Sequence, residues 1–222
     1  MKKKIKALIP VRAGSVRVVN KNIKPFCGTN LLALKIEQML RIKEIDEVCV
    51  SSESQEMLDI AKDLGATPIR RDAKFASNEC SPNDVWEHIA DNIDCEYILY
   101  TAVTNPLVKD DSYRNCIEKY FSLDENVYSL NTVTSVKEFL WMGNSPVNYD
   151  PNNQPKSQDL PEVFHLNFAI NILRRDLMKK HKSILLKNFF PFYLDKIEST
   201  DIDDVHDFLI AELLYKNQNN LL

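Results

Sequence analysis

Residues 5–11, Ile-Lys-Ala-Leu-Ile-Pro-Val, form a nearly continuous apolar run that ends in a polar, glycine-containing loop. That is the pattern of a strand buried on both faces of a parallel sheet. Residues 30–42 then carry Leu31, Leu34, Met39 and Ile42 among charged positions and predict a helix, and 47–51 predict the next strand. Ser52 and Gln55 have the spacing of a capping box, Met57, Leu58, Ala61 and Leu64 follow at helical intervals, and Gly65 marks the stop. Residues 67–69 read as a short strand. Ser81-Pro82-Asn83-Asp84 places a cap, a first-turn proline and an acidic residue ahead of Trp86, Ile89, Ala90 and Ile93. A strand over 97–100, a helix over 111–121 and a strand over 127–133 continue the alternation. Such alternation predicts an α/β fold, a single domain with a mostly parallel twisted sheet and helices on both faces.

From 136 to 162 the pattern changes, with Pro146, Pro151, Pro155 and Pro161 amid Asn, Ser and Gln. This predicts an inserted, loop-rich arm within one domain spanning 1–222. Phe139, Trp141 and Tyr149 are aromatic in an otherwise polar insert, as a surface between two copies would need. Residues 168–173 resume strand character, 175–182 predict a short basic helix, and 205–215 a closing amphipathic helix before a frayed tail over 217–222. The chain has no internal repeat.

Composition narrows the classes. Of 222 residues, 44% are hydrophobic and 27% charged, enough apolar side chain for a sizeable core and too much for disorder. A net charge of −4 offers no electrostatic footprint for nucleic acid, although a few placed cations still suit a small phosphate ligand. The basic residues 1–6 precede an apolar stretch broken by Arg12, too short for a signal peptide, and no segment approaches the roughly 18 to 20 apolar residues that span a bilayer. A cytoplasmic protein is expected. Cys27, Cys49, Cys80, Cys95 and Cys116 form no paired motif and read as reduced thiols. His88, His181 and His206 have no metal-site spacing, and Arg174, Arg175, Lys179, Lys180 and Lys182 read as a solvated helix face.

The loop over 12–22, Arg-Ala-Gly-Ser-Val-Arg-Val-Val-Asn-Lys-Asn, directly follows the first strand. It combines a glycine, neutral donors and three cations, the parts a phosphate site needs: close backbone N–H groups, forked arginine donors and a lysine point charge. A solvated basic loop is the alternative. The loop is neither GxxxxGK[ST] nor GxGxxG, which disfavours a P-loop or a dinucleotide site. Near the C-terminus, Asp201 and Asp203 flank Ile202. In extended backbone both carboxylates share one face, a pair of hard oxygen donors suited to Mg²⁺ on phosphate; the alternative is that one of them caps the following helix.

Residues 9–26 resemble the opening of the CMP-sugar synthetases, the acylneuraminate-type cytidylyltransferases, with strand, Arg-x-Gly-Ser and Lys-Asn in order. Lys21-Asn22-Ile23-Lys24-Pro25-Phe26-Cys27-Gly28 is especially similar to the branch that activates pseudaminic acid. Further segments resemble the family in the same order: Val50 to Ser54, Arg71 to Asp84, Thr104-Asn105-Pro106-Leu107, Gln158-Asp159-Leu160-Pro161, Asn167, and Glu198 to Asp203. The chain departs from the pattern at Val16, where the family has Lys, at Ala102-Val103 for Gln-Pro, at Val108 for Arg, at Asp72 for Pro and at Phe168 for Gly.

The resemblance implies a Rossmann-like nucleotidyltransferase fold with a dimerisation arm. It implies Mg²⁺-dependent transfer of CMP from CTP to an acidic sugar, a nonulosonic acid such as sialic, legionaminic or pseudaminic acid, with release of pyrophosphate. Arg12, Lys21 and Asp203 would be catalytic; Arg12, Gly14, Ser15, Lys21, Asn22, Arg71 and Ser81 would bind the nucleotide. Gln158, Phe164, His165 and Asn167 would bind the acceptor, and Asp201 and Asp203 the metal. For Ser81 a plain helix-capping role competes, for Phe164 a place in the core, and for His165 a structural role. The departures leave two alternatives open, transfer to a different acidic sugar or phosphonate, and a non-catalytic nucleotide or sugar binder.

Overall fold

The computed structural model describes residues 3–221. Strand β1 (Ile5–Pro10) leads through the glycine loop and a small hairpin, β2 (Pro25–Phe26) and β3 (Thr29–Asn30), into helix α1 (Leu31–Arg41). Then come β4 (Glu47–Ser52), α2 (Gln55–Asp63), β5 (Thr67–Arg70), a 3₁₀ turn Ala73–Ala76, α3 (Pro82–Asn92), β6 (Tyr97–Thr101) and α4 (Asp110–Ser122). The second half comprises β7 (Ser129–Val136), a two-residue hairpin β8 (Trp141–Met142) and β9 (Ser145–Pro146), β10 (Val163–Arg174), α5 (Arg175–His181), β11 (Phe189–Tyr193) and α6 (Val205–Gln218).

Seven strands form one sheet in the order β11-β7-β10-β6-β1-β4-β5, parallel except where β10 runs against both β6 and β7. Strand alternation divides the core. Ile5, Ala7, Ile9, Val48, Val50 and Leu99 point to the layer of α1, α2, α4 and α6, while Leu8, Cys49 and Ile98 point to that of α3 and α5. The chain steps outward from β1 to β4 and β5, then returns to place β6 on the other side of β1. That reversal opens a crevice at the carboxyl ends of β1 and β6, where open α/β sheets take their ligands.

Several expectations need correction. Ser52 is the buried last residue of β4, and Ser54 caps α2 by accepting from the Met57 N–H, so the Ser52–Gln55 capping box does not form. The segment between β7, which ends at Val136, and β10 is 137–162, and β10 begins at Val163 rather than 168. Strand β11 went unpredicted: Pro191 interrupts its donor pattern, which only an edge strand tolerates. Helix α6 is not amphipathic with respect to this chain, since Phe208 and Ala211 are buried while Val205, Leu209 and Leu213 are more than half exposed. It also continues through Asn217 and Gln218 of the expected tail; Leu222 lies outside the described residues. All five cysteines are free thiols, and among the described residues no helix is long and apolar enough to cross a membrane.

Candidate functional site

The loop after β1 is held by contacts far apart in sequence. Gly14 turns the chain at φ +76°, a conformation that a side chain would strain. The Ala13 N–H donates to Glu53 Oε1 at 2.7 Å, and the other oxygen of Glu53 pairs with buried Arg71 at 3.3 Å. Arg71 also donates to the Val11 carbonyl. At the far end, buried Asn22 donates to the Arg12 carbonyl at 3.0 Å, and its own carbonyl accepts from Leu32 N–H at the start of α1. Arg12 reaches the Ala76 carbonyl at 2.8 Å. Loop, β4 and the turn after β5 are thereby tied into one wall.

This wall faces a cleft of about 420 Å³, lined by Arg12, Ser15, Arg17, Lys21, Asn22 and Arg71 on one side and by Tyr100 of β6 with Ala102, Val103 and Thr104 just after it on the other. Trp86 of α3 meets Tyr100 edge-on at 5.6 Å and gives the cleft an aromatic side, and Asp203 stands at its rim. Arg17 pairs with Asp203 at 2.9 Å. Lys21 donates to the Ile202 carbonyl, and loss of solvation holds its ammonium below the usual lysine range while Asp201 and Asp203 pull it back up. Lost solvation likewise lifts the Asp201 carboxyl; the Thr104 hydrogen bond opposes this and neighbouring Asp203 adds to it.

Ile202 is fully buried between these two aspartates. Neither caps α6. Asp204 accepts from the Asp207 N–H at 3.0 Å, and Asp207 accepts from the N–H groups of Asp203 and Asp204. The nearby grouping of Asp204, His206 and Asp207, which spacing did not suggest, therefore has its carboxylates engaged in capping. Asp201 and Asp203 remain as two hard oxygen donors that repel each other beside a cationic loop, a donor set that fits a divalent cation shared with phosphate.

Of the residues expected from sequence, Arg12, Ser15, Lys21, Asn22, Arg71 and Asp203 converge on one cleft, with Gly14 in its loop and Asp201 joined to it through Thr104. Ser81 does not line it; its hydroxyl caps α3 by accepting from Asn83 N–H at 3.1 Å. The four acceptor candidates do not converge. Gln158 is exposed on the arm, and Phe164 packs edge-on against Phe189 and Tyr193 at 6.2 and 6.1 Å. His165 opens into a second cavity of about 750 Å³ with Lys137, Lys196 and Ser199. Asn167 is buried with its amide fully engaged: the oxygen accepts from Thr132 and Ala169, and the nitrogen donates to Thr134 and Ser199. Sequence reasoning missed Glu53, Trp86 and Tyr100. Trp86 was hidden within a helical apolar face; only a fold could join Glu53 to a loop forty residues away.

A family model described as cytidylyltransferase matches residues 6–220. Over 231 aligned residues the chain is 28% identical to a pseudaminic acid cytidylyltransferase of Campylobacter jejuni, covering 94% of this chain and 95% of that one. It is 27% identical to a CMP-N,N'-diacetyllegionaminic acid synthase of Legionella pneumophila, covering 99% and 100%. Among solved structures, a CMP:2-keto-3-deoxy-manno-octonic acid synthetase complexed with CTP superposes with a TM-score of 0.74 at 13% identity, covering 97% of this chain and all of that one. At that identity the likeness carries the fold.

Proposed function

The chain belongs to the cytidylyltransferase family and is a nucleotidyltransferase of the CMP-sugar synthetase type, and we propose that it transfers CMP from CTP to an acidic sugar of the nonulosonic class. The observation that carries this reading is the cleft itself, in which a glycine turn, Arg12, Arg17 and Lys21 face Asp203 at the switch point of the sheet. The acceptor hydroxyl gives its proton to solvent as its oxygen bonds to the α-phosphorus, in line with the breaking bond to the bridging oxygen of the β-phosphate; pyrophosphate leaves. No protein nucleophile takes part. Arg12 and Lys21 neutralise charge that builds on the phosphates, while Ser15, Asn22 and the backbone at Gly14 orient them. Arg71 lines the cleft, as does Trp86, and serves the cytosine edge together with the loop near Ser81.

Asp201 and Asp203 would hold Mg²⁺, which would supply positive charge at the triphosphate. Among the acceptor residues, His165 and Gln158 keep polar groups available, whereas Asn167 acts by shaping the strand. Phe139 and Tyr149 meet at 4.9 Å within the arm, where Trp141 and Met142 stand exposed, and this arm pairs two copies of a cytoplasmic enzyme. A second reading, transfer to a different acidic acceptor, is favoured by Val16 and Ala102, which make the cleft wall apolar where the family pattern is polar. One experiment tests the reading and separates the acceptors: pyrophosphate release from CTP with a panel of acidic sugars, with and without Mg²⁺. Release with a nonulosonic acid and Mg²⁺ is expected. Release with another acid alone selects the second reading, and no release with any acceptor rejects transfer.

A further inference from the structure

Lys35 has no exposed surface at all, an uncommon position for a lysine. It lies on the inner face of α1, and its three ammonium protons meet three neutral acceptors: Gln38 Oε1 at 2.9 Å, the Asn105 carbonyl at 3.0 Å and the Tyr113 hydroxyl at 2.7 Å. Tyr113 bonds onward to Thr101 at the end of β6, also at 2.7 Å. Gln38 turns its amide nitrogen to the Val108 carbonyl and to Asp110. From one helix face, two side chains thus grip the connection from β6 to α4 along its length. Leucine at this site would avoid burying an ammonium, so the lysine is a costly way to fill the space.

The far side of the same connection holds the acidic segment. Asn105 donates from its side-chain nitrogen to the Thr200 carbonyl at 3.2 Å, and Ile202 N–H donates to the Thr104 carbonyl at 2.9 Å. Thr104 also bonds the Asp201 carboxylate. Lys35 is therefore one residue removed from the backbone that sets Asp201 and Asp203. By contrast, the contacts that anchor the start of the glycine loop, through Glu53 and Arg71, share no member with this cluster.

We propose that Lys35 is a positioning residue, a buried ammonium that fixes the Thr104–Asn105 turn and through it the spacing of the Asp201 and Asp203 carboxylates. The inference rests on the reading of those two residues as metal ligands. Burial presses the Lys35 amine down to about 7, with Asp110 of α4 pulling upward and Arg41 of α1 pushing further down. Desolvation thus opposes the charged form, and the Asp110 carboxylate favours it.

Thermal unfolding separates this role from a merely structural one and needs no acceptor sugar. The melting temperature is measured for wild type and Lys35→Met alone, with CTP, and with CTP plus Mg²⁺. CTP alone should raise both proteins, because the start of the loop is held through Glu53 and Arg71, and each protein's own CTP value is the baseline for the next step. The further rise on adding Mg²⁺ should shrink in Lys35→Met to less than half its wild-type size, whatever the baseline stability. An equal Mg²⁺ increment in both proteins overturns the role of Lys35. No increment in wild type overturns the metal reading beneath it. If Lys35→Met does not fold, Tyr113→Phe replaces it, since that change keeps the ring and removes one acceptor of three. It should reduce the increment, and a full increment overturns the proposal.

Discussion

The loop after β1 and the middle of β10 both turn the chain through left-handed backbone, at Gly14 with φ +76° and at Phe168 with φ +55°. The first does so with the residue that adopts this conformation freely; the second forces an aromatic residue into it. Around Gly14 the bonds from Glu53, Arg71 and Asn22 all serve to aim one loop at one cleft. Around Phe168 the bonds of Asn167 lock a break in the strand register between Leu166 and Asn171, and the flanking Phe164 and His165 go to different surroundings. A triphosphate presents the same charges to any enzyme, so its site is built from backbone and a few cations close in sequence. Under the proposed reading an acceptor sugar would instead meet side chains drawn from an arm and a distorted strand.

Changing Asp203 should have the largest effect on the nucleotide side. In Asp203→Asn one oxygen remains but the charge is lost, so turnover should fall by roughly two to three orders of magnitude. Because Asp204 is the helix cap, the melting temperature should stay close to wild type. Pyrophosphate release measured beside thermal unfolding checks both halves. Near-normal turnover would leave the Asp203 carboxylate with its Arg17 ion pair and remove it from the chemistry.

Glu53→Ala should have an intermediate effect. It takes the acceptor from Ala13 N–H and the anion from buried Arg71, at a stability cost of about 1–3 kcal/mol. A loosened loop should also raise the CTP concentration for half-saturation about tenfold, equivalent to about 1.4 kcal/mol. Isothermal titration with CTP reads the second effect directly. Unchanged affinity would mean that the bonds of Asn22, Arg71 and Lys21 hold the loop without Glu53, and the anchored side would then be less different from the acceptor side than its hydrogen bonds suggest.

The same contrast explains what could be read in the amino-acid order. Buried parallel strands such as 5–10 and 97–101 announce themselves as apolar runs, and Ser81-Pro82 and Gly65 punctuate helices by local chemistry alone. Strand β11 was illegible because an edge strand needs no alternation and tolerates Pro191. The start of β10 was illegible because Val163 to Leu166 pairs with β7 across a bulge that interrupts its period. On the site, Arg12, Lys21 and Asp203 were visible as charge clusters and family segments. Lys35 and Glu53 were not, since each looks like an ordinary helix or loop charge until the fold buries one and bends the other onto Ala13.

The smallest effect bears on the acceptor side. A non-glycine residue in the left-handed region costs about 1–2 kcal/mol, and glycine gives back about 0.5–1 kcal/mol through the freedom it gains when unfolded. Phe168→Gly should therefore be neutral to stabilising by about 1 kcal/mol, which for a chain of this size is a rise of about 2–4 °C at most. Phe168 is 39% exposed, so little core packing is lost with its ring. Phe168→Ala separates backbone from side chain, because alanine removes the ring but keeps the strained conformation. It should melt below the glycine variant. If alanine and glycine melt together, the strain is not stored at this residue; if glycine melts well below wild type, the ring packs more than its exposure indicates. CTP binding should be the same in all three proteins, since none of the contacts that hold the glycine loop reaches this strand.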